Sequence, residues 1–268
     1  MLKRTRVVSL NTWKCDGSYL KRLEWMSGGL RALAPDIVFL QEAFVCEETG
    51  DDTADFLGSV LNLHVTQVAG REKLRLHLGE MRNSRSNLAL LTRTLPVHQE
   101  TVQLAPCDSD EGRMVQIVDL PMSGQLIRLA NTHLTHIKGY EGDIARAVQA
   151  EQLLNAAEPP IAGLSIFGGD LNARPHEAAI QKLANASGII EPENDDITGT
   201  FQGESADQTT CTETLDYLFL RQNDSTEAGR ILHLWQALDT PIGPNRLFPS
   251  DHAAVVADVC LSEQEQAC

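Results

Sequence analysis

The chain is short of positive charge. Against 37 acidic residues it has 22 lysines and arginines, a formal net charge of −15 over 268 residues. Such a surface repels polyanions at long range and argues against a broad, non-specific nucleic-acid binder. A local basic cleft stays open to it, because salt screens charges beyond about 10 Å. Also missing is any apolar run near the roughly 20 residues that a membrane-spanning helix needs. The opening MLKRTRVVSLNTW has basic residues, but its apolar part is too short for a secretory signal. The expectation is therefore no transmembrane segment and a cytoplasmic location. There is no CxxC pair. Cys15, Cys46, Cys107, Cys211, Cys260 and Cys268 are scattered, and without a secretory context they read as free thiols. No repeat, low-complexity segment or Pro/Gly/Ser-rich linker divides the chain, which predicts one domain over residues 1–268 and a monomer.

What is present is a mixture of strands and helices. The patterns predict strands at 6–10, 36–42, 74–78, 87–93, 114–120, 126–134, 164–167, 215–221, 231–235 and 253–259. Helical spacing appears at 18–34, with Ser18 as N-cap and Pro35 as a stop, and at 52–62, 141–157 and 176–186. Several consecutive strands in the middle of the chain imply α/β layers with mixed sheets.

Polar residues gather at the strand tips. In FGGDLNARP (167–175) an apolar run meets two glycines, then Asp170 and Asn172. Residues two apart in a strand share a face, so an extended path would aim both the same way. Asn11, Glu42 and His133 end other strands, while Asp216, Asp251 and His252 begin the last ones. If those last strands run antiparallel to the rest, all of these groups converge on one edge. Each has a plain structural reading, as a solvated strand end, a turn or a satisfied core histidine. Together they suit phosphoester hydrolysis. Glu42 with Asp170 or Asp251 offers hard oxygens for Mg²⁺ or Mn²⁺. A histidine beside a carboxylate is a general base held in one tautomer. Zinc on His133 and His136 is a weaker reading, because residues three apart in a strand face opposite ways.

The motifs NTW (11–13), LQEAF (40–44), NTHL (131–134), GGDLNARP (168–175), LDYLFL (215–220) and SDHAAVVADV (250–259) occur in the order found in the endonuclease/exonuclease/phosphatase superfamily, which the chain resembles. The resemblance implies a DNase I-like four-layer α/β/β/α sandwich with two mixed β-sheets. It implies Glu42 as principal Mg²⁺ ligand, with Asn11 at the metal and phosphate and Asp251 as a further metal-site acid. It also implies His133 and Arg113 on the phosphate, with the match for Arg113 less specific. Asp170 and Asn172 correspond to the pair that orients or activates water. His252, partnered by Asp216, corresponds to the general base or phosphate-stabilising histidine. Trp13 stands where abasic-site endonucleases carry an acid, which argues against a dedicated repair enzyme of that kind. The leading expectation is a Mg²⁺-dependent phosphodiesterase. A nuclease of the same superfamily is the alternative, and an inactive binding fold a third reading. Its partner would be a phosphodiester: a small molecule, a lipid headgroup or a nucleic acid. The locally basic REKLRLHLGEMRNSR (71–85) reads as a solvated hairpin or a substrate-binding rim. Its alternation predicts Leu74, Leu76 and Leu78 on the sheet side, with Lys73 and Arg75 outward.

Overall fold

The structure is a computed structural model that describes residues 3–107, 110–160, 163–202, 211–223, 229–243 and 247–262. In chain order the elements are β1 (Lys3–Asn11), α1 (Tyr19–Leu33), β2 (Ile37–Cys46), β3 (Asp51–Asp52), α2 (Thr53–Leu61), β4 (His64–Val68), β5 (Lys73–His77), β6 (Glu80–Thr92), β7 (His98–Gln103), β8 (Met114–Met122) and β9 (Gln125–His133). They continue with α3 (Tyr140–Ala156), β10 (Leu164–Asp170), α4 (Ala178–Ala184), β11 (Ile189–Ile190), β12 (Asp195–Asp196), β13 (Asp216–Gln222), β14 (Gly229–Ala237) and β15 (Ala254–Leu261).

Two mixed sheets result. One runs β12-β14-β15-β1-β2-β6-β4, with β3 on β2 and β5 on β6; the other runs β11-β13-β10-β9-β8-β7. Their central strands are apolar in consecutive residues because both faces are covered. In β1, Val7 enters the core between the sheets, and its neighbour Val8 enters the core beneath α1 and α2, with Leu23, Met26 and Leu30. On the far side Ala150, Leu153 and Leu183 of α3 and α4 pack on Ile117 and Phe167. The result is the expected α/β/β/α sandwich. As expected, β15 runs antiparallel to β1, and β13 antiparallel to β10.

All the strands and helices expected from the sequence are present, with shifted ends. The two-residue strands β3, β11 and β12 add to them, and of the longer strands β4 and β7 were not expected. Both β4 and β7 lie at sheet edges, where half-exposed, polar sequences such as HQETVQ blur the alternation. Ser18 precedes α1 but its side chain makes no cap bond. The five described cysteines are free, and Cys268 lies outside the described residues. No described helix is long and apolar enough to cross a membrane.

Three expectations need correction. The β5–β6 ribbon faces the opposite way: Leu74, Leu76 and Leu78 are 62%, 65% and 61% exposed, while His77 is buried. The polar face turns inward because it finds partners there. His77 Nε2 lies 2.6 Å from Asp51 and its ring packs on Tyr19 and Phe44; Arg75 donates to Ser84 and Ser86. Glu42 does not end its strand. β2 continues to Cys46, and a break in its register with β6 between Leu40 and Ala43 leaves Glu42 left-handed at φ 54°. Finally, the extended path stops at Asp170, since Asn172 has φ 49°.

Candidate active site

The site forms where the ends of both sheets meet. In the second sheet, Asp170 is flanked in register by His133 of β9 and Asp216 of β13. Such close approach requires Gly168 and Gly169, at φ 150° and 128°. A Cβ at Gly168 would sit 2.0 Å from the Tyr217 carbonyl oxygen, and one at Gly169 2.1 Å from that of Thr132.

Asp170 is the hub. Its Oδ2 accepts a 2.9 Å hydrogen bond from Asn11 Nδ2, reaching across from the first sheet. Its Oδ1 accepts the Asn172 backbone N–H at 3.0 Å. The left-handed turn sends the Asn172 side chain to the Leu134 carbonyl, so the residue holds Asp170 through its backbone. His133 Nε2 lies 3.3 Å from Asp170 Oδ2 and His252 Nε2 lies 3.8 Å from it. The other ring nitrogen of His252, Nδ1, is 2.8 Å from Asp216 Oδ2, and Phe201 covers the ring. Asp170, Asp216 and His252 are all buried, with ligand atoms within 4.8 Å of one another, close enough to share a cation. Among the described residues Asp216 Oδ1 has no hydrogen-bond partner.

Electrostatics separates these groups. Burial, reinforced by Asp216, raises the Asp170 pKa against the opposing pull of His252. His252 is desolvated too, yet the charges of Asp216 and Asp170 outweigh burial and raise its pKa. His133 goes the other way: burial and then the charges of Arg113 and His252 lower its pKa well below the usual histidine range.

Glu42 and Asp251 stand at the mouth. Burial and the charge of Glu42 push the Asp251 carboxyl up to about 6. Lys14 Nζ is 3.3 Å from Glu42 Oε2; the charges of Glu42 and Asp16 raise its pKa despite burial. Ser250 ties Asp251 to the Asn11 strand by donating to the Asn11 carbonyl. Arg113 reaches the same mouth. Its Nε donates to the buried Asp110 at 2.9 Å, and its terminal nitrogens contact the His133 carbonyl and His136 Nδ1.

All nine residues expected at the site thus converge on one region. Lys14 and Asp110 were missed, as were Gln41 and Asn131. Gln41 Nε2 donates to Asn131 Oδ1 at 2.8 Å, a polar strut between the two sheets beneath the site. The signal was in LQEAF and NTHL, where each buried amide precedes the outward-facing residue by one or two positions. Asp110 carries no such pattern.

No curated protein sequence matches the chain. Among solved structures, an endonuclease/exonuclease/phosphatase family protein from Bacteroides thetaiotaomicron aligns with TM-score 0.73 at 16% identity, covering 98% of this chain and 100% of that one. A humanized D. rerio TDP2 gives 0.71 at 17%, covering 97% and 99%. A mannosyl-6-phosphatase of B. thetaiotaomicron VPI-5482 gives 0.71 at 16%, covering 95% and 99%. At such identities the likeness is one of fold. The family model described as Endonuclease/Exonuclease/phosphatase matches residues 9–252, nearly the whole chain and every motif from Asn11 to His252, and the chain belongs to that family.

Proposed function

We propose that this chain is a divalent-metal-dependent phosphoester hydrolase, acting as a phosphodiesterase, with the whole chain as its single catalytic domain. The observation that carries the reading is the buried chain of contacts from Asp216 through His252 to Asp170, with Asn11 and His133 on the same carboxylate. Neighbouring titratable groups whose proton affinities are pushed apart mark acid and base roles. Asp170, with its raised pKa, is the group to take the proton of an attacking water. Asn11 and the Asn172 backbone fix its two oxygens. His252, held protonated by Asp216 and Asp170, places a cation where negative charge grows on the phosphoryl oxygens. Neutral His133 and the Asp110-anchored Arg113 line the same approach. Of the two roles expected for His252, base or phosphate stabiliser, the electrostatics favour the second.

Glu42, Asp251 and Asn11 are the residues that would hold Mg²⁺ or Mn²⁺. The donors are hard oxygens, as those ions prefer. The charge of Glu42 raises the cost of ionising Asp251, and a divalent ion would relieve that. The chemistry such an ion supplies is charge neutralisation at the phosphate. Phosphate-group chemistry also agrees with a structural neighbour named as a phosphatase.

The test is hydrolysis of a chromogenic phosphodiester with Mg²⁺, alongside calorimetric Mn²⁺ binding. Glu42→Gln should weaken ion binding and lower turnover about 10²-fold or more, with melting unchanged, because Glu42 lies outside the core. Near wild-type hydrolysis by that variant, or by the native protein in excess EDTA, would overturn the reading.

A further inference from the structure

The five cations of the stretch 71–85 do not act together. Arg82 pairs with Glu48 and Glu80, and Arg85 with Glu47 and Glu72, so carboxylates already neutralise both. The other three, Arg71, Lys73 and Arg75, line a cavity of about 320 Å³ that also includes Glu42, Arg113 and His133. This space opens directly from the site above. Among the described residues neither Arg71 nor Lys73 meets a carboxylate, and Arg75 is bonded only to serines. The Lys73 ammonium feels its crowding: burial and the charges of Arg71 and Arg75 lower its pKa. In a chain with 37 acids and 22 cations, three cations without a carboxylate partner on one wall of one cavity are a local excess calling for an anion.

We propose that this cavity is a second anion subsite, in which Arg71, Lys73 and Arg75 receive a further phosphate group on a small substrate whose scissile phosphate lies at Asp170 and His252. The inference rests on the phosphoester reading of the site. It is limited to a compact anion by the surroundings. A second groove along the ribbon is lined by Glu47, Glu48 and Glu72 around the single cation Arg85, and Glu111 is among the residues that line the cavity itself. A run of phosphates leaving the cavity along the ribbon would meet carboxylates. One dianion inside it faces Arg71, Lys73 and Arg75, while two of the cavity's three carboxylates, Glu42 and Asp110, are already paired with Lys14 and Arg113.

The experiment compares calorimetric binding of propanediol bisphosphate and propyl phosphate in native protein, in Arg71→Ser/Lys73→Ser and in His252→Ala. Both mutated cations are exposed, so the double variant should fold normally. Native protein should bind the bisphosphate about tenfold or more tightly than the monophosphate, through the added charge-assisted bonds. The double variant should lose that advantage and leave monophosphate affinity nearly unchanged. Equal affinities in native protein, or equal losses for both ligands in the double variant, would overturn the subsite. So would an oligonucleotide that binds more tightly than the bisphosphate and depends on the same two residues, since that makes the wall a polyanion track. If His252→Ala leaves both affinities unchanged while the double variant still removes the bisphosphate advantage, the phosphoester reading fails and the anion subsite stands.

Discussion

Asp216 touches no substrate in the arrangement described; it acts on His252. Its carboxylate, 2.8 Å from Nδ1, is the leading reason that the imidazole keeps its proton against burial. Asp216→Asn removes that charge, so the His252 pKa should fall. If the protonated ring is the active form, activity is lost as pH rises through that pKa. The alkaline limb of the kcat profile should therefore begin at lower pH in the variant, with turnover at neutral pH reduced about 10²-fold or more. An unshifted limb with chemistry rate-limiting would separate Asp216 from the ring. At this scale the sequence was most readable where a residue's type alone announces chemistry: an acid or histidine at the tip of an apolar strand. Asn172 was placed in the right region, but its part is played by a backbone N–H, which no residue type reveals. Lys14 is tied to the site through Glu42, and Asp110 through Arg113 and His136, and neither stands at the tip of an apolar strand where its type would announce a role.

Among the elements, β10 is the most constrained. Carbonyls of β13 and β9 press against it at Gly168 and Gly169, leaving no room for a methyl group at either position. Gly168→Ala must part the strands or distort a positive-φ residue. We expect a loss of about 2–4 kcal/mol in denaturant stability, together with loss of activity, because Asp170 is only two residues away. A stable variant with normal turnover would mean that the pairing at Gly168 tolerates a shift. Buried strands and long helices were legible because apolar periodicity follows from burial on one or two faces. The β5–β6 ribbon was misread for the same reason. Alternation tells which residues share a face, and only the fold tells which face turns inward. Here His77 and Arg75 found protein partners, and the leucines took the solvent side.

For the molecule as a whole, the first and last described strands are stitched together. β1 pairs with β15 from Lys3↔Leu261 to Ser9↔Val255, and the seam carries a buried carboxylate, Asp258, bonded to Arg4 and to Arg6 at 2.9 Å. Burial raises the Asp258 pKa, but the hydrogen bonds and charges of Arg6 and Arg4 outweigh it, so the folded-state value is depressed. The stability this pair contributes is thus fully present above the unfolded carboxyl pKa and is lost as pH falls through the folded one. Asp258→Asn should cost about 1–2 kcal/mol near neutrality, with native and variant stabilities converging in acid. A gap in denaturation midpoint that persists to low pH would assign the effect to packing instead. The overall architecture followed from the motif order, whereas the ion pairs closing this seam join residues about 250 positions apart and leave no local trace.

That seam also governs how the protein is made. A ribosome delivers β1 well before β15, yet β15 lies between β14 and β1, and His252 stands two residues ahead of it. Until that segment emerges, β1 presents an unpaired apolar edge, the kind of surface that recruits other chains. Over the same interval the nascent protein holds Asn11, Glu42 and Asp170 but lacks the histidine, so on the proposed role of His252 hydrolytic competence would arrive together with closure of the sheet. Unfinished chains should therefore be inert and dependent on chaperones.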